Sequence, residues 1–252
     1  MNPAALTRGL ADSLPDNVSL FENSPVTSIS SPNGITVTTT AGEVRAPKMI
    51  LAANGFSDQF GYKADGFVHL ALRASLTRPL NAEEQRAYGV SKPWGVTLAN
   101  SFGGVTMRYT NDHRLLIRQD IRLNMKQNMS AQTTKKVVGQ HLQILHDRFP
   151  QLPGLSFENT WVGYICMSRN GAPAFGQVAH NVWLTACQNG IGVTKGTISG
   201  LLAADLACER DNPLLTDIQS LGSPQSLPPR PLVELGARWV MRRELTKNRH
   251  EA

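Results

Sequence analysis

The stretch "NVWLTACQNGIGVTKGTISGLLAADL", residues 181–206, decides the fold of this chain. It begins with a short apolar run, passes through Gly190, Gly192 and Gly196, and from residue 197 onward shows a pattern that predicts a helix. A strand, a glycine-rich turn and a helix in this order are typical of nucleotide-binding turns. Three interpretations are open: a phosphate-binding turn, a turn whose amides face an electron-rich ring or an anion, and a purely structural tight turn.

The surroundings of these glycines weaken the dinucleotide interpretation. Their spacing is GxGxxxG, and a dinucleotide fingerprint also requires a following strand with an acidic residue about 20 positions further on. Glu209 and Asp211 are at that distance, but they fall at the end of the predicted helix. The P-loop pattern GxxxxGK[ST] is absent from the sequence. The two remaining interpretations stay open, because exposed N–H groups at a helix N-terminus bind negative charge and glycines alone also allow a sharp turn.

The composition is that of a globular protein. The chain has 252 residues, of which 41% are hydrophobic and 17% are charged, enough for one large domain or two intertwined ones. The formal charge is +6, and the densest basic cluster is "RWVMRRELTKNRH" at residues 238–250. The other basic residues are scattered, which indicates solvated surface, so no nucleic-acid partner is expected. A weak association of the basic tail with a membrane surface stays open.

Cysteine usage and hydropathy indicate a cytoplasmic protein. Cys166, Cys187 and Cys208 form no C-x-x-C pair, which fits a reducing compartment and argues against a structural zinc, and the histidines form no metal-ligand pattern. No apolar run reaches membrane-spanning length, and residues 1–14 lack the order of a signal peptide. We therefore expect neither a bound metal nor an integral membrane segment.

The order of the predicted elements indicates a mixed α/β fold with an insertion. A helix opens the chain, extended segments follow, and "KMILAANG" at residues 48–55 predicts a buried strand that ends at a ligand crevice. From about residue 62 the pattern predicts antiparallel strands, then a helix within residues 133–150. The tail predicts irregular, proline-rich chain and a basic helix at residues 232–245. Elements of an α/β type thus occupy both ends, with an antiparallel sheet between them.

Four segments together resemble the FAD-dependent oxidoreductases of the D-amino-acid oxidase superfamily, which includes glycine, sarcosine and γ-glutamylputrescine oxidases. In order they are "NPAALTRGLADSLPDNVSLFENSPVTSI" (2–29), "MILAANGFS" (49–57), "ICMSRNGAPAFG" (165–176) and the opening stretch (181–206). The resemblance implies a partial FAD-binding, Rossmann-like layer from residues 1–61 and 161–252. It implies a substrate-binding antiparallel sheet in residues 62–160.

The resemblance also implies which residues face FAD. Backbone at Val26 would lie against the adenosine half, and Ala52, Asn54 and Gly55 would form the crevice wall. The residues that would shape the loop over the flavin or pass beside its ring are Pro173, Gly176, Asn189, Gly190, Ile191, Gly192 and Val193. Amides at the start of the predicted helix would then stabilise negative charge on the reduced ring.

The implied reaction is oxidation of an amine or amino acid C–N bond by hydride transfer to the flavin. In amino-acid-oxidising relatives, an arginine of the inserted sheet binds the substrate carboxylate, because a guanidinium fits it with two hydrogen bonds. Arg118, in the middle of "LLIRQD", ranks first among the candidates for this role in this chain, ahead of Arg108 and Arg73. Each of the three is also consistent with an ordinary surface arginine. "MSRNGAPAFG" and "MRYTNDHRLLIR" resemble the γ-glutamylputrescine oxidase branch most.

One part of the family pattern does not occur in this sequence. Family members begin with a βαβ unit that carries GxGxxG and an acidic residue and binds the ADP moiety of FAD. Three explanations are open: a split enzyme whose partner subunit carries this unit, a truncated reading frame, and a domain with an altered role. The alternative function is accordingly a catalytically inactive truncated paralogue that acts, if at all, by binding a partner.

Overall fold

The computed structural model describes residues 2–31, 34–63, 65–97, 104–128 and 130–247. They fall into two compact units. The first is built from Met1–Phe67 and Ser168–Gln225, and the second from Val68–Met167 and Ser226–Ala252. The fold is mixed α/β, as the sequence predicts, and none of the described helices is long and apolar enough to cross a bilayer.

In chain order, the described helices and strands are α1 (Pro3–Asp12), β1 (Val26–Ser30), β2 (Ile35–Thr39), β3 (Glu43–Ala46), β4 (Met49–Leu51), a 3-10 helix (Asn54–Phe60), β5 (Val68–Thr77), α2 (Ala82–Tyr88), β6 (Trp94–Val96), β7 (Thr106–Tyr109), β8 (Leu115–Leu123), α3 (Ala131–Arg148), β9 (Phe157–Met167), β10 (Ala174–Ala179), β11 (Val182–Ala186), α4 (Gly192–Ala207), α5 (Leu214–Ser220) and α6 (Arg230–Lys247).

The first unit contains a three-stranded sheet in the order β10-β11-β4. Every residue of β11 is buried, as expected of a short apolar strand with neighbours on both sides. β11 runs parallel to β4 and antiparallel to β10, and α4 packs against β11. Because β4 and β11 are parallel, the turns that follow them lie at the same edge of the sheet. A separate antiparallel sheet, β1-β2-β3, completes this unit; the turn predicted between its first two strands includes positions outside the described residues.

The second unit is a five-stranded antiparallel sheet in the order β6-β7-β8-β5-β9. The helix α3 packs on one face, over a core that includes Met107, Tyr109, Ile117 and Leu145. The Ser75 hydroxyl of β5 lies 2.8 Å from Nδ1 of His141 on α3, so odd-numbered β5 residues point to this covered face. Even-numbered β5 residues and their cross-strand partners form the other face.

The unit boundaries differ from those that the sequence predicts. β9 pairs with β5 along nearly its whole length, so the first segment of the second unit extends to Met167. The resemblance implies that this segment ends at residue 160. The boundary at the other end of the inserted sheet falls after Phe67, six residues later than residue 61. The C-terminal segment from Ser226 belongs to the second unit, because α6 packs on β8, whereas the family resemblance implies that this segment is part of the FAD-binding layer.

Three helices also depart from expectation. The sequence pattern does not predict α2, although Asn81 and Glu84 form a complete capping box at its start. It indicates irregular chain for the segment containing α5. α4 begins at Gly192, not at residue 197, because Gly192 and Gly196 both adopt helical conformation.

Candidate functional site

Two turns meet at the edge of the first unit's sheet where β4 and β11 end. Ala52–Asn54 follow β4, and Cys187–Ile191 follow β11 and lead into α4. The backbone N–H of Gln188 donates to Oδ1 of Asn54 at 3.4 Å, which joins the two turns directly. The carboxyl end of a parallel pair of strands is the place where open α/β sheets bind ligands.

The turn after β11 has an unusual backbone. Cys187, Asn189 and Gly190 all have positive φ, at 55°, 51° and 79°. Asparagine and glycine adopt this conformation readily, whereas for cysteine it costs on the order of 1 kcal/mol. The turn reverses the chain within a few residues, so that α4 starts immediately beside the end of β11.

The side chain of Asn189 ties this turn to the loop before β10. Its Oδ1 accepts from the backbone N–H of Ser168 at 2.9 Å. Its Nδ2 donates to the carbonyls of Gly171 (3.1 Å), Ala172 (3.3 Å) and Cys187 (2.9 Å). The Ser168 hydroxyl also donates to the Ala172 carbonyl at 2.7 Å. The loop at residues 168–172 and the turn are therefore held as one piece.

The N-terminus of α4 is open to an anion or an electron-rich ring. Its N-cap is Ile191, and within the described residues no side chain caps it. Gly192, Val193 and Thr194 form the exposed first turn of this 16-residue helix, and a Cβ built on Gly192 would meet no atom within 4 Å. First-turn N–H groups have no acceptor inside a helix, and they carry the positive end of its dipole. The geometry thus presents backbone donors beside open space.

An apolar cleft of about 450 Å³ lies next to β4 in the same unit. Apart from Gln59, the described residues that line it are apolar. The lining residues are Val26, Ile29, Val37, Met49, Ile50, Leu51, Ala53, Phe56, Gln59 and Phe60. Among the described strands, β4 pairs with β11 alone and so forms the edge of the sheet, and Ile50 at its centre is 41% exposed. A strand in a parallel sheet normally has a neighbouring strand on each side and is covered on both faces. The open edge of β4 and the cleft beside it therefore resemble a hydrophobic core that is only partly covered.

Most of the residues that the resemblance assigns to FAD lie in the two turns, at the N-terminus of α4 or in the apolar cleft. Asn54 contacts the β11 turn, and Asn189–Val193 form the end of that turn and the start of α4. Val26 lines the cleft, and Ala52 is exposed after β4. Gly55 is buried within the 3-10 helix, and Pro173 is buried in the loop before β10. Gly176 lies outside that loop, within β10 opposite Leu184.

Of the three arginines named from the sequence, two lie on one face of the second unit's sheet. Arg118 on β8 is paired across the strands with Thr106, and Arg108 lies two residues further along β7, so both point to the face that α3 does not cover. Nη2 of Arg118 donates to Oγ1 of Thr106 at 2.7 Å. Burial, followed by the nearby charge of Arg108, lowers the pKa of the Arg118 guanidinium from its usual value. A half-buried positive charge with a second, exposed arginine on the same face favours the binding of an anion.

Arg73 lies in the interior of the second unit. It is fully buried on the α3-covered face of β5, between Gln119 of β8 and Val162 of β9. Arg73 therefore does not share the face of Arg118. Of the three arginines named from the sequence, only Arg118 and Arg108 remain together.

Sequence reasoning missed several residues that support these features. Gln188 and Ser168 make the connections to Asn54 and Asn189, and Thr106 orients Arg118. Thr106 could have been found, because strand alternation places it on the face of Arg108. The partners of Gln188 and Ser168 are 134 and 21 residues away in sequence, so local pattern carries no signal for them.

Comparison with known proteins gives a consistent result. Residues 1–206 match the family model described as DAO, FAD dependent oxidoreductase. The chain is 25% identical over 211 residues to the probable oxidoreductase OrdL of Haemophilus influenzae, an alignment that covers 81% of this chain and 46% of OrdL.

Solved structures share the fold. Glycine oxidase from Geobacillus kaustophilus aligns with a TM-score of 0.61 at 19% identity, over 84% of this chain and 54% of that one. L-Proline dehydrogenase from P. horikoshii aligns with a TM-score of 0.59 at 18% identity, over 82% and 55%. The chain thus spans about half the length of the relatives it matches.

Proposed function

Because this chain belongs to the DAO family of FAD-dependent oxidoreductases, we propose that it forms the flavin-facing and substrate-binding part of an enzyme that oxidises an amine or amino acid C–N bond. FAD is the cofactor of this family. In this proposal the first unit contacts FAD and the second unit binds the substrate. The product would be an imine, which water hydrolyses.

The observation that carries the proposal is the uncapped N-terminus of α4. Its donors at Gly192, Val193 and Thr194 follow a turn that β11, Asn54 and Asn189 hold in place. FAD supplies a two-electron acceptor that gains negative charge on reduction. Preorganised N–H groups at a helix N-terminus stabilise negative charge without reorganising during the reaction. These amides would therefore suit the pyrimidine end of a flavin ring, where negative charge develops on reduction.

The second unit supports a substrate with a carboxylate. Arg118 is held by Thr106 and its guanidinium pKa is lowered, so a bound carboxylate would offset the cost of desolvating its charge and its repulsion from Arg108. A bidentate arginine–carboxylate pair would also fix the orientation of the C–H bond to be oxidised. An amino acid or a carboxylate-bearing amine is the substrate class that this supports.

The edge of β4 supports a partner polypeptide for the first unit. The edge strand, the exposed Ile50 and the apolar cleft would be covered by a parallel strand and its connected helix. We infer that this surface receives the βαβ unit with GxGxxG, which would bind the ADP moiety of FAD. The unit would be supplied by another chain or by another part of a longer chain.

The proposal is tested by absorbance spectra of the purified chain, alone and co-expressed with a polypeptide carrying a family GxGxxG unit. We expect flavin absorbance in the complex and its anaerobic bleaching by an amino acid or amine. A colourless protein in both preparations contradicts the flavoenzyme proposal. A coloured complex that no amine or amino acid bleaches favours the alternative, a catalytically inactive paralogue that binds a partner.

A further inference from the structure

The helix α6 has two opposed apolar faces, and one of them is exposed. Val233 and Met241 are buried, at 8% and 9% exposure, on the side packed against β8. Leu232, Leu235 and Trp239 are 60%, 67% and 62% exposed, and we call them the α6 stripe. At about 3.6 residues per turn, positions 232, 235 and 239 fall on one line along the helix, facing away from the buried side.

Arginines border the α6 stripe. Arg238 and Arg242 each follow a stripe residue by three positions, and Arg243 follows Trp239 by four, so all three lie beside the stripe. All three are exposed, and the Arg243 guanidinium lies 5.6 Å from the centroid of the Trp239 ring. The helix as a whole contains five basic and two acidic residues.

We propose that α6 binds the surface of a membrane containing anionic lipids, lying in the plane of the interface with the α6 stripe inserted among the headgroups. On its exposed side, α6 combines leucine and tryptophan on one line with arginines along the borders, and these are the residue types that interfacial helices present to lipid. Trp239 suits this boundary, because its ring is apolar and its N–H is a hydrogen-bond donor. The arginines add attraction to lipid phosphates.

Charge argues for lipid over a second copy of this chain. A two-fold contact through the α6 stripe would bring three arginines from each copy to the borders of one interface. Although Glu234 lies 3.6 Å from Arg238, the excess of basic over acidic residues on the helix opposes such a contact, whereas an anionic surface attracts the arginines. The area bordered by arginines therefore complements a lipid surface and opposes self-association.

This proposal does not depend on FAD or on catalysis, so its failure is separate from that of the proposed function. The test is co-sedimentation of the full chain with vesicles of phosphatidylcholine, alone or mixed with phosphatidylglycerol. We expect binding to the mixed vesicles, much weaker binding to the neutral ones, and release by added salt. Trp239 fluorescence, obtained by subtracting the signal of W239F, is expected to shift to shorter wavelength on binding.

Variants on the exposed side of α6 separate the apolar contribution to vesicle binding from the electrostatic one. W239A is expected to weaken vesicle binding about tenfold through lost apolar burial. R238A and R242A are each expected to weaken it about fivefold at low salt. F21S, which changes a 73%-exposed apolar side chain of the first unit, is the matched control and is expected to bind as the parent does. Since all these side chains are exposed, circular dichroism is expected to show an unchanged fold.

Three results overturn the proposal. The first is absence of sedimentation with mixed vesicles while the chain is folded. The second is sedimentation that W239A and R242A leave unchanged. The third is a concentration-dependent dimer in light scattering that L235E abolishes, because this assigns the α6 stripe to a second copy.

Discussion

At the scale of single residues, Asn189 organises more of the first unit than any residue of the glycine pattern does. One amide side chain contacts Ser168, Gly171, Ala172 and Cys187, and its backbone adopts positive φ. Asparagine meets both requirements, since it tolerates this conformation and carries a donor and an acceptor. The glycines allow the backbone to turn sharply, and Asn189 connects this turn to the loop at residues 168–172.

Replacing Asn189 separates these two roles. N189G keeps the permitted backbone and removes the hydrogen bonds, so we expect a loss of about 1–3 kcal/mol in the free energy of unfolding. N189A adds the cost of positive φ, about 1 kcal/mol more. Urea unfolding of both variants measures the two differences. Equal stability of N189G and the parent would show that the side chain does not hold the loop at residues 168–172.

Arg118 is the residue whose replacement tests the substrate class. In the assembled enzyme, R118K is expected to raise KM for a carboxylate-bearing substrate about tenfold or more while changing kcat little, because lysine keeps the charge but loses the planar fork. Steady-state kinetics with an amino acid and with the matching amine lacking the carboxylate provide the measurement. R45K, at an exposed position of β3, is the control. An equal effect on both substrates argues against a carboxylate contact.

At the scale of elements, the N-terminus of α2 shows how local polar pairing stabilises a short helix. Oδ1 of Asn81 accepts from the backbone of Glu83 and Glu84, at 3.0 and 2.9 Å, and Oε2 of Glu84 accepts from the Asn81 N–H at 2.9 Å. Arg78 donates to both carboxylate oxygens of Glu84, at 2.6 Å each. The hydrogen bond from Arg78 is the main reason that the pKa of Glu84 is lowered.

The lowered pKa gives stability a defined pH dependence. Because the folded state favours the carboxylate, Glu84 stabilises the fold above its ordinary pKa of about 4.3 and loses this contribution as pH falls through the lower folded value. E84Q is therefore expected to cost about 1 kcal/mol at neutral pH, a modest figure because Arg78 is partly exposed, and progressively less as pH falls below the ordinary glutamate value. Urea unfolding over a series of pH values from neutral to acidic, with E83Q as control, measures this. A difference between E84Q and the parent that does not decrease as pH falls would assign the effect to shape and not to charge.

The N-terminus of α4 allows a test that sets stability against function. Aspartate or asparagine at Ile191 would cap the open first turn, so I191D and I191N are both expected to raise the free energy of unfolding by about 1 kcal/mol. I191D also places negative charge where we propose that the reduced flavin lies. We expect it to lower the flavin reduction potential in the complex and I191N to lower it much less. Similar potentials for I191D and I191N would contradict the placement of the flavin beside α4.

The sequence predicts elements where one local signal dominates. β4 and β11 are short apolar runs between turns, and both are found where expected. The predicted start of α4 is wrong because glycine lowers helix propensity by about 1 kcal/mol, and Gly192 and Gly196 suggest a turn. Buried Leu202 and Ala203 of α4 show that packing outweighs this cost. α2 is not predicted, because a helix of seven residues is too short to show a clear periodicity of apolar residues.

At the scale of the whole molecule, the sequence predicts the inserted antiparallel sheet but not the limits of its unit. Strand pairing between β5 and β9, and packing of α6 on β8, join segments that are far apart in sequence. The candidate site likewise has parts that local sequence predicts and parts that depend on the pairing of distant segments. Its turns follow from local residue types, whereas the separation of Arg73 from Arg118 depends on strand register, which one sequence does not fix.

The apolar surface beside β4 leads to a prediction about the whole chain. Phe56 and Ile50 are each 41% exposed and line the cleft, so the purified chain is expected to bind an environment-sensitive hydrophobic dye. F56S combined with I50S is expected to reduce dye fluorescence severalfold and to lower the yield of a complex with a GxGxxG polypeptide, because both properties depend on the same surface. V44S, at a 52%-exposed position of β3 that does not line the cleft, is expected to change neither. Reduced dye binding with an unchanged yield of complex would place the partner on another surface.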